Sequence, residues 1–215
     1  VFIAKVASLY MEPSWRILDP TYGRGNWHGK WGVLPDLGGA MVTISSTVAD
    51  DGVLHGEDFR NLARFEDESF DGIWYDPPYH APGGRKTSTV KEMHDSYGTF
   101  SAPSDPPGVQ QLMNDGLTEM YRLVKRRPKR GRKGQRPPGI VFMRAMDYVS
   151  SGHKWWGVRK SIEHAESLGF KHVDSFDFAK KSGGPQPKTA PKSGHVIRQV
   201  HSRANKTTLL VFQKV

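Results

Sequence analysis

Asp76, Pro77, Pro78 and Tyr79 place a carboxylate, two rigid imino-acid residues and an aromatic ring within four positions. Each proline lacks an N–H and has a fixed φ, which predicts carbonyls left outside any helix or sheet ladder. A carboxylate and an outward carbonyl accept hydrogen bonds from an amino group, and an aromatic face stacks on a flat ring. The group therefore has the chemistry of a pocket for an unstacked nucleobase that carries an NH2. Local turn propensity offers a second explanation, because Asp and Pro favour turns without any ligand. The elements around the tetrapeptide must decide between the two.

Those elements are strands. Phe70-Asp71-Gly72-Ile73-Trp74-Tyr75 is a short apolar run that ends at Asp76. Further upstream, Arg16-Ile17-Leu18-Asp19-Pro20-Thr21-Tyr22-Gly23-Arg24-Gly25-Asn26 is a second apolar run that ends in an acid and passes at once into Gly-x-Gly. In an open α/β sheet this is where the first strand meets a ligand at its carboxyl edge, with glycine allowing close approach of the backbone. Both acids end strands, so both belong to that edge.

The pair of motifs resembles the S-adenosylmethionine-dependent amino-methyltransferases of DNA, the N6-adenine and N4-cytosine enzymes, in a compact form like those of phages and actinobacteria. The resemblance runs over nearly the whole chain. It implies an α/β fold of the Rossmann-like class I methyltransferase type, with a mostly parallel sheet, helices on both faces and an antiparallel edge strand. It implies S-adenosyl-L-methionine as cofactor, bound by Asp19, Pro20, Thr21, Tyr22, Gly23, Gly25, Asn26, Asp58, Phe59 and Asp76. In Gly56-Glu57-Asp58-Phe59, Asp58 would accept from the adenine amino group of the cofactor and Phe59 would cover its ring. Where the family's second strand ends in a ribose-binding acid, this chain has Thr43 and Ser45, with Asp50 and Asp51 further on. Asp76, Pro77, Pro78 and Tyr79 would be the catalytic group. Asp76 and the Pro77 carbonyl would receive the amine, and Tyr79 would stack on the flipped base.

The remaining elements follow by pattern. Ala40–Ile44 is β-branched and reads as a strand. Val109, Leu112, Met113, Leu117, Met120, Tyr121 and Val124 recur at helical spacing and predict a helix over 109–125. Ile140–Met143 reads as a buried strand. Trp155, Val158, Ile162, Ala165 and Leu168 predict a helix stopped by Gly169. Phe170–Phe178 and Thr207–Phe212 are two strands without room for a crossover helix, so they are expected to pair antiparallel at one edge. One domain over 1–215 accounts for the whole, with long loops at 80–108, 126–138 and 179–205.

Charge is concentrated. The formal net charge is +9, yet residues 125–136 and 178–215 each carry eight bases and no acid, leaving 15 bases against 22 acids elsewhere. Two basic segments on an acidic body suit an anionic polymer. Lys125, Arg126, Arg127, Lys129, Arg130, Arg132 and Lys133, with Arg85 and Lys86 in the loop after Tyr79, are the candidate phosphate contacts. The expected partner is DNA, with RNA as an alternative. A monomer or weak dimer, no membrane and a cytoplasmic place in a bacterium, archaeon or phage-infected cell complete the expectation.

The absence of cysteine removes disulfides, thiolate metal sites and cysteine nucleophiles. Nine histidines show no zinc spacing, so no metal is expected. Methylation at cytosine C5 ordinarily needs a thiolate and is excluded. Three readings remain: a DNA amino-methyltransferase, adenine N6 before cytosine N4; an RNA methyltransferase, as some guanine-N2 enzymes carry a similar motif; and an inactive nucleic-acid-binding relative. The intact Asp76–Tyr79 tetrapeptide speaks against the third.

Overall fold

A computed structural model gives the protein's architecture and describes residues 2–22, 41–45, 53–79, 81, 103–128, 137–150, 153–179 and 206–215. In chain order the elements are α1 (Phe2–Tyr10), β1 (Ile17–Asp19), β2 (Met41–Ser45), β3 (Val53–His55), β4 (Gly72–Tyr75), α2 (Pro106–Leu123), β5 (Ile140–Ala145), β6 (Tyr148–Ser150), β7 (His153–Trp155), α3 (Gly157–Leu168), β8 (Phe170–Ala179) and β9 (Lys206–Lys214). Seven strands form one sheet in the order β3-β2-β1-β4-β5-β9-β8, and β6 with β7 forms a separate hairpin. β3, β2, β1, β4 and β5 run parallel. β9 runs antiparallel to both β5 and β8, so the expected antiparallel pair closes that end of the sheet.

Strand alternation divides the core. Ile17, Trp74, Ile140, Phe142, Leu209 and Val211 face α1 and pack with its Val6 and Ala7 and with Met11. Leu18, Ile73, Tyr75, Val141, Met143, Leu210 and Phe212 face the other way, toward α2 and α3. Helices thus cover both faces of the central strands, and β1, β4 and β5 read as continuous apolar runs because neither of their faces meets water.

Helix ends follow local chemistry. α2 begins at Pro106, earlier than the expected 109, because Asp105 caps it by accepting from the Gly108 amide at 2.9 Å, with prolines in the first turn. That takes residues 106–108 out of the expected loop. Its other end comes at Leu123, since Val124 turns extended and bridges Phe70 beside β4. α3 stops at Gly169 as expected, where φ of 103° needs glycine. Its start differs, because Trp155 belongs to β7.

The segment between β3 and β4 is bound to α2. Arg122 donates to the carbonyls of Phe65 and Leu62 and pairs with Glu119 and Asp67, and Glu119 accepts from the Leu62 amide at 2.7 Å. Among the described residues no helix is long and apolar enough to cross a membrane.

Candidate active site

Parallel pairing puts the two acidic strand ends at the same sheet edge. β1 and β4 are in register with Leu18 beside Ile73, so one further step sets Asp19 beside Trp74 and three set Thr21 beside Asp76. Asp19 is fully buried. Its Oδ1 accepts from the Thr21 amide at 3.0 Å and lies 3.5 Å from the Thr21 hydroxyl. That hydroxyl accepts the Asp76 amide at 2.8 Å. One threonine thus ties the loop after β1 to the loop after β4, the contact that local turn propensity alone gives no reason to form.

β5 supplies a residue that the sequence reading passed over. Tyr75 pairs with Met143, so the next step brings Asp76 level with Arg144. Arg144 Nη1 donates to Asp76 Oδ2 at 3.0 Å, and Nη2 donates to the Tyr79 hydroxyl at 3.1 Å. The guanidinium also lies 5.2 Å from the centre of the Tyr79 ring. A base closing the apolar run Ile140–Met143 was the available signal, and its meaning needed the β4–β5 register. Pro77 and Pro78 are buried between the half-buried Asp76 and Tyr79. Burial pushes the Tyr79 phenol above its usual range, the Asp76 carboxylate adds to this, and Arg144 opposes it. Tyr79 is therefore a neutral phenol at ordinary pH.

Asp58 and Phe59 follow β3 at the same edge. The segment folds back over α2, so the buried Phe59 ring lies 5.7 Å from that of Tyr75. A Cβ on Gly116 of α2 would come 2.7 Å from the Phe59 ring, so only glycine leaves room there. The Asp58 carboxylate is held by Arg60 on both oxygens, the two residues facing solvent. Gly23, Gly25, Asn26, Asp50, Asp51, Arg85 and Lys86 lie outside the described residues, as do Lys129, Arg130, Arg132 and Lys133.

Lys125, Arg126 and Arg127 are not at this edge. Lys125 donates to Asp71 at 2.7 Å just before β4, Arg126 to the Val215 carbonyl, and Arg127 to Gln213 at 3.1 Å. These partners sit where the parallel strands begin, at the far end of the sheet from Asp76.

The strand order, the parallel core and the antiparallel closure are those of the Rossmann-like class I fold of S-adenosylmethionine-dependent methyltransferases. Among solved structures, a candidate methyltransferase from Bacillus halodurans superposes with a TM-score of 0.56 at 12% identity, over 99% of this chain and 98% of its own. A SAM-dependent methyltransferase from Methanosarcina mazei gives 0.53 at 10% identity, over 98% and 97%. A candidate DNA modification methylase from Thermus thermophilus gives 0.45 at 14% identity; 80% of this chain is covered, and it spans 54% of that protein's length. No protein-family model matches the chain, and no curated protein matches it by sequence. At these identities the likeness establishes the fold.

Proposed function

We propose that the protein is an S-adenosylmethionine-dependent methyltransferase acting on the exocyclic amine of a base flipped out of DNA, adenine N6 first. The observation that carries this reading is the Asp19–Thr21–Asp76 link, which sets an acid-bearing loop of the cofactor type against an Asp-Pro-Pro-Tyr loop at one sheet edge. The acceptors fit the cofactor: Asp19 and Asp76 lie at one edge with Asp58, paired to Arg60, beside them, and the ligand carries an ammonium, an amino group and a sulfonium. Bound there, it would supply an electrophilic methyl group. The chain's own residues do the rest. Asp76 accepts from the NH2, which draws nitrogen lone-pair density out of the ring and onto the nitrogen. The Tyr79 face holds the base plane, and Thr21 keeps the Asp76 backbone in place. Orientation of this kind lowers barriers by as much as ~7–11 kcal/mol in ideal cases. Methylation would leave the nitrogen with one excess, strongly acidic proton, which passes to Asp76 and on to water, so Asp76 need not be a strong base.

The test has two stages. Calorimetry should give heat with S-adenosylmethionine and with its demethylated product, and silence with both would overturn the assignment. Incubation with labelled cofactor and DNA, RNA or denatured DNA, followed by mass identification of the nucleoside, should then show N6-methyladenine in DNA. N4-methylcytosine, or a modified base in RNA alone, would move the substrate while keeping the chemistry.

Lys125–Arg127 and the start of β5 lie at the sheet end far from Asp76, so the basic segment between them is expected to contact phosphates distant from the flipped base. Because Lys125–Arg127 are bound to the sheet, the informative change is neutralisation of Lys129, Arg130, Arg132 and Lys133 together. Binding to all sequences should weaken alike, and the slope of log affinity against log salt should flatten by roughly one unit per lost contact. An unchanged slope would remove this segment from the interface.

A further inference from the structure

We infer that Arg144 is a positioning residue for the proposed transfer, holding Asp76 as an acceptor-only carboxylate and Tyr79 in one orientation. The inference rests on the proposed function for its purpose, and on three contacts for its substance. A single guanidinium reaches Asp76 Oδ2 at 3.0 Å and the Tyr79 hydroxyl at 3.1 Å, and lies over the ring at 5.2 Å. It therefore grips both ends of a four-residue arc whose middle is two buried prolines. The planar fork suits this double task, whereas an ammonium is a point charge on a flexible stem.

The need for such a grip follows from desolvation. Asp76 already has a side chain only 16% exposed. A base laid over Tyr79 would strip away more of its water, and burial favours the protonated form of a carboxyl group. A protonated Asp76 whose other oxygen is held by Arg144 would turn an O–H donor toward an NH2 donor, and the pocket would read an amine poorly. Asp19, the other acid at this edge, lies beyond the Thr21 hydroxyl and brings no positive charge. Tyr79 is neutral and adds no charge. The guanidinium from β5 opposes the effect of this desolvation, so the amine side of the pocket stays an acceptor when covered.

Two substitutions separate charge from grip. In Arg144→Gln the Asp76 carboxyl, followed by 13C NMR and assigned against Asp76→Asn, should titrate about one to three pH units higher. The acid limb of the single-turnover rate should move up with it, so that activity lost at low pH returns at high pH. In Arg144→Lys the limb should stay near that of the parent protein. The KM for nucleic acid should instead rise about two- to tenfold, as expected for loss of one hydrogen bond to Tyr79. An Asp76 titration unmoved by Arg144→Gln would overturn the inference, as would identical pH limbs and KM values in the two variants. Should Arg144→Gln fail to fold, Arg144→Lys with an unchanged KM would overturn it alone. If the parent protein methylates neither DNA nor RNA, the proposed function falls, while the carboxyl titration still decides the role of Arg144.

Discussion

Asp76→Ala is expected to lower single-turnover methyl transfer by a factor on the order of 10²–10³, the usual cost of removing one acceptor from a preorganised polar site. The change deletes the carboxylate proposed to receive the amine and takes that ion-pair contact from the Arg144 guanidinium, whose side chain is 23% exposed. The backbone link should persist, because Thr21 receives the Asp76 amide and needs no side chain there. Cofactor affinity is therefore expected to fall much less than the rate, and calorimetry on the variant checks this. Wild-type transfer by Asp76→Ala would put the chemistry elsewhere on the molecule.

Tyr79→Ala should act on capture of the base. Loss of a stacking ring costs roughly 1–3 kcal/mol per base, which appears as weaker binding of nucleic acid with cofactor binding retained. From the sequence, Tyr79→Phe would be expected to be nearly silent, since it keeps the face. The structure changes that expectation, because the hydroxyl accepts from Arg144. Tyr79→Phe should now cost about 0.5–1.5 kcal/mol, the net worth of one hydrogen bond. Equilibrium binding to an oligonucleotide with a mismatched or abasic partner opposite the target isolates the stacking step. Equal affinities for the tyrosine, phenylalanine and alanine forms would leave Tyr79 a turn residue and nothing more.

The legibility of this chain depended on how far each signal reached. Strands covered on both faces announce themselves as unbroken apolar runs, and Ile17–Leu18, Ile73–Tyr75 and Ile140–Met143 were all readable. The parallel core and the antiparallel pair at one edge followed from the alternation of strands and helices, but the order of the strands within the sheet did not. Short elements did not announce themselves. β3 has three residues, and α1 has nine, too few to hold a helix without the sheet beneath it. The β6–β7 hairpin escaped although Ser151-Gly152 between its strands was a turn signal. Asp-Pro-Pro itself occurs twice. At Asp105 it caps a helix, the plain local use, and at Asp76 it ends a buried strand against Thr21. Nothing in the tripeptide separates the two; the preceding strand does. Arg144 shows the opposite limit, because its meaning lies in a pairing 68 positions away that no local pattern contains.

The shared hydroxyl of Thr21 has a thermodynamic consequence. It stands between Asp19 on the proposed cofactor side and the Asp76 amide on the proposed base side. A ligand that draws one loop into a single arrangement thereby narrows the choices open to the other. Linkage is reciprocal, so the factor by which cofactor tightens nucleic-acid binding must equal the factor by which nucleic acid tightens cofactor binding. Thr21→Val, which keeps the shape and removes the oxygen, leaves each half-site its own residues but takes away their common partner. The two ligands would then bind as strangers to one another.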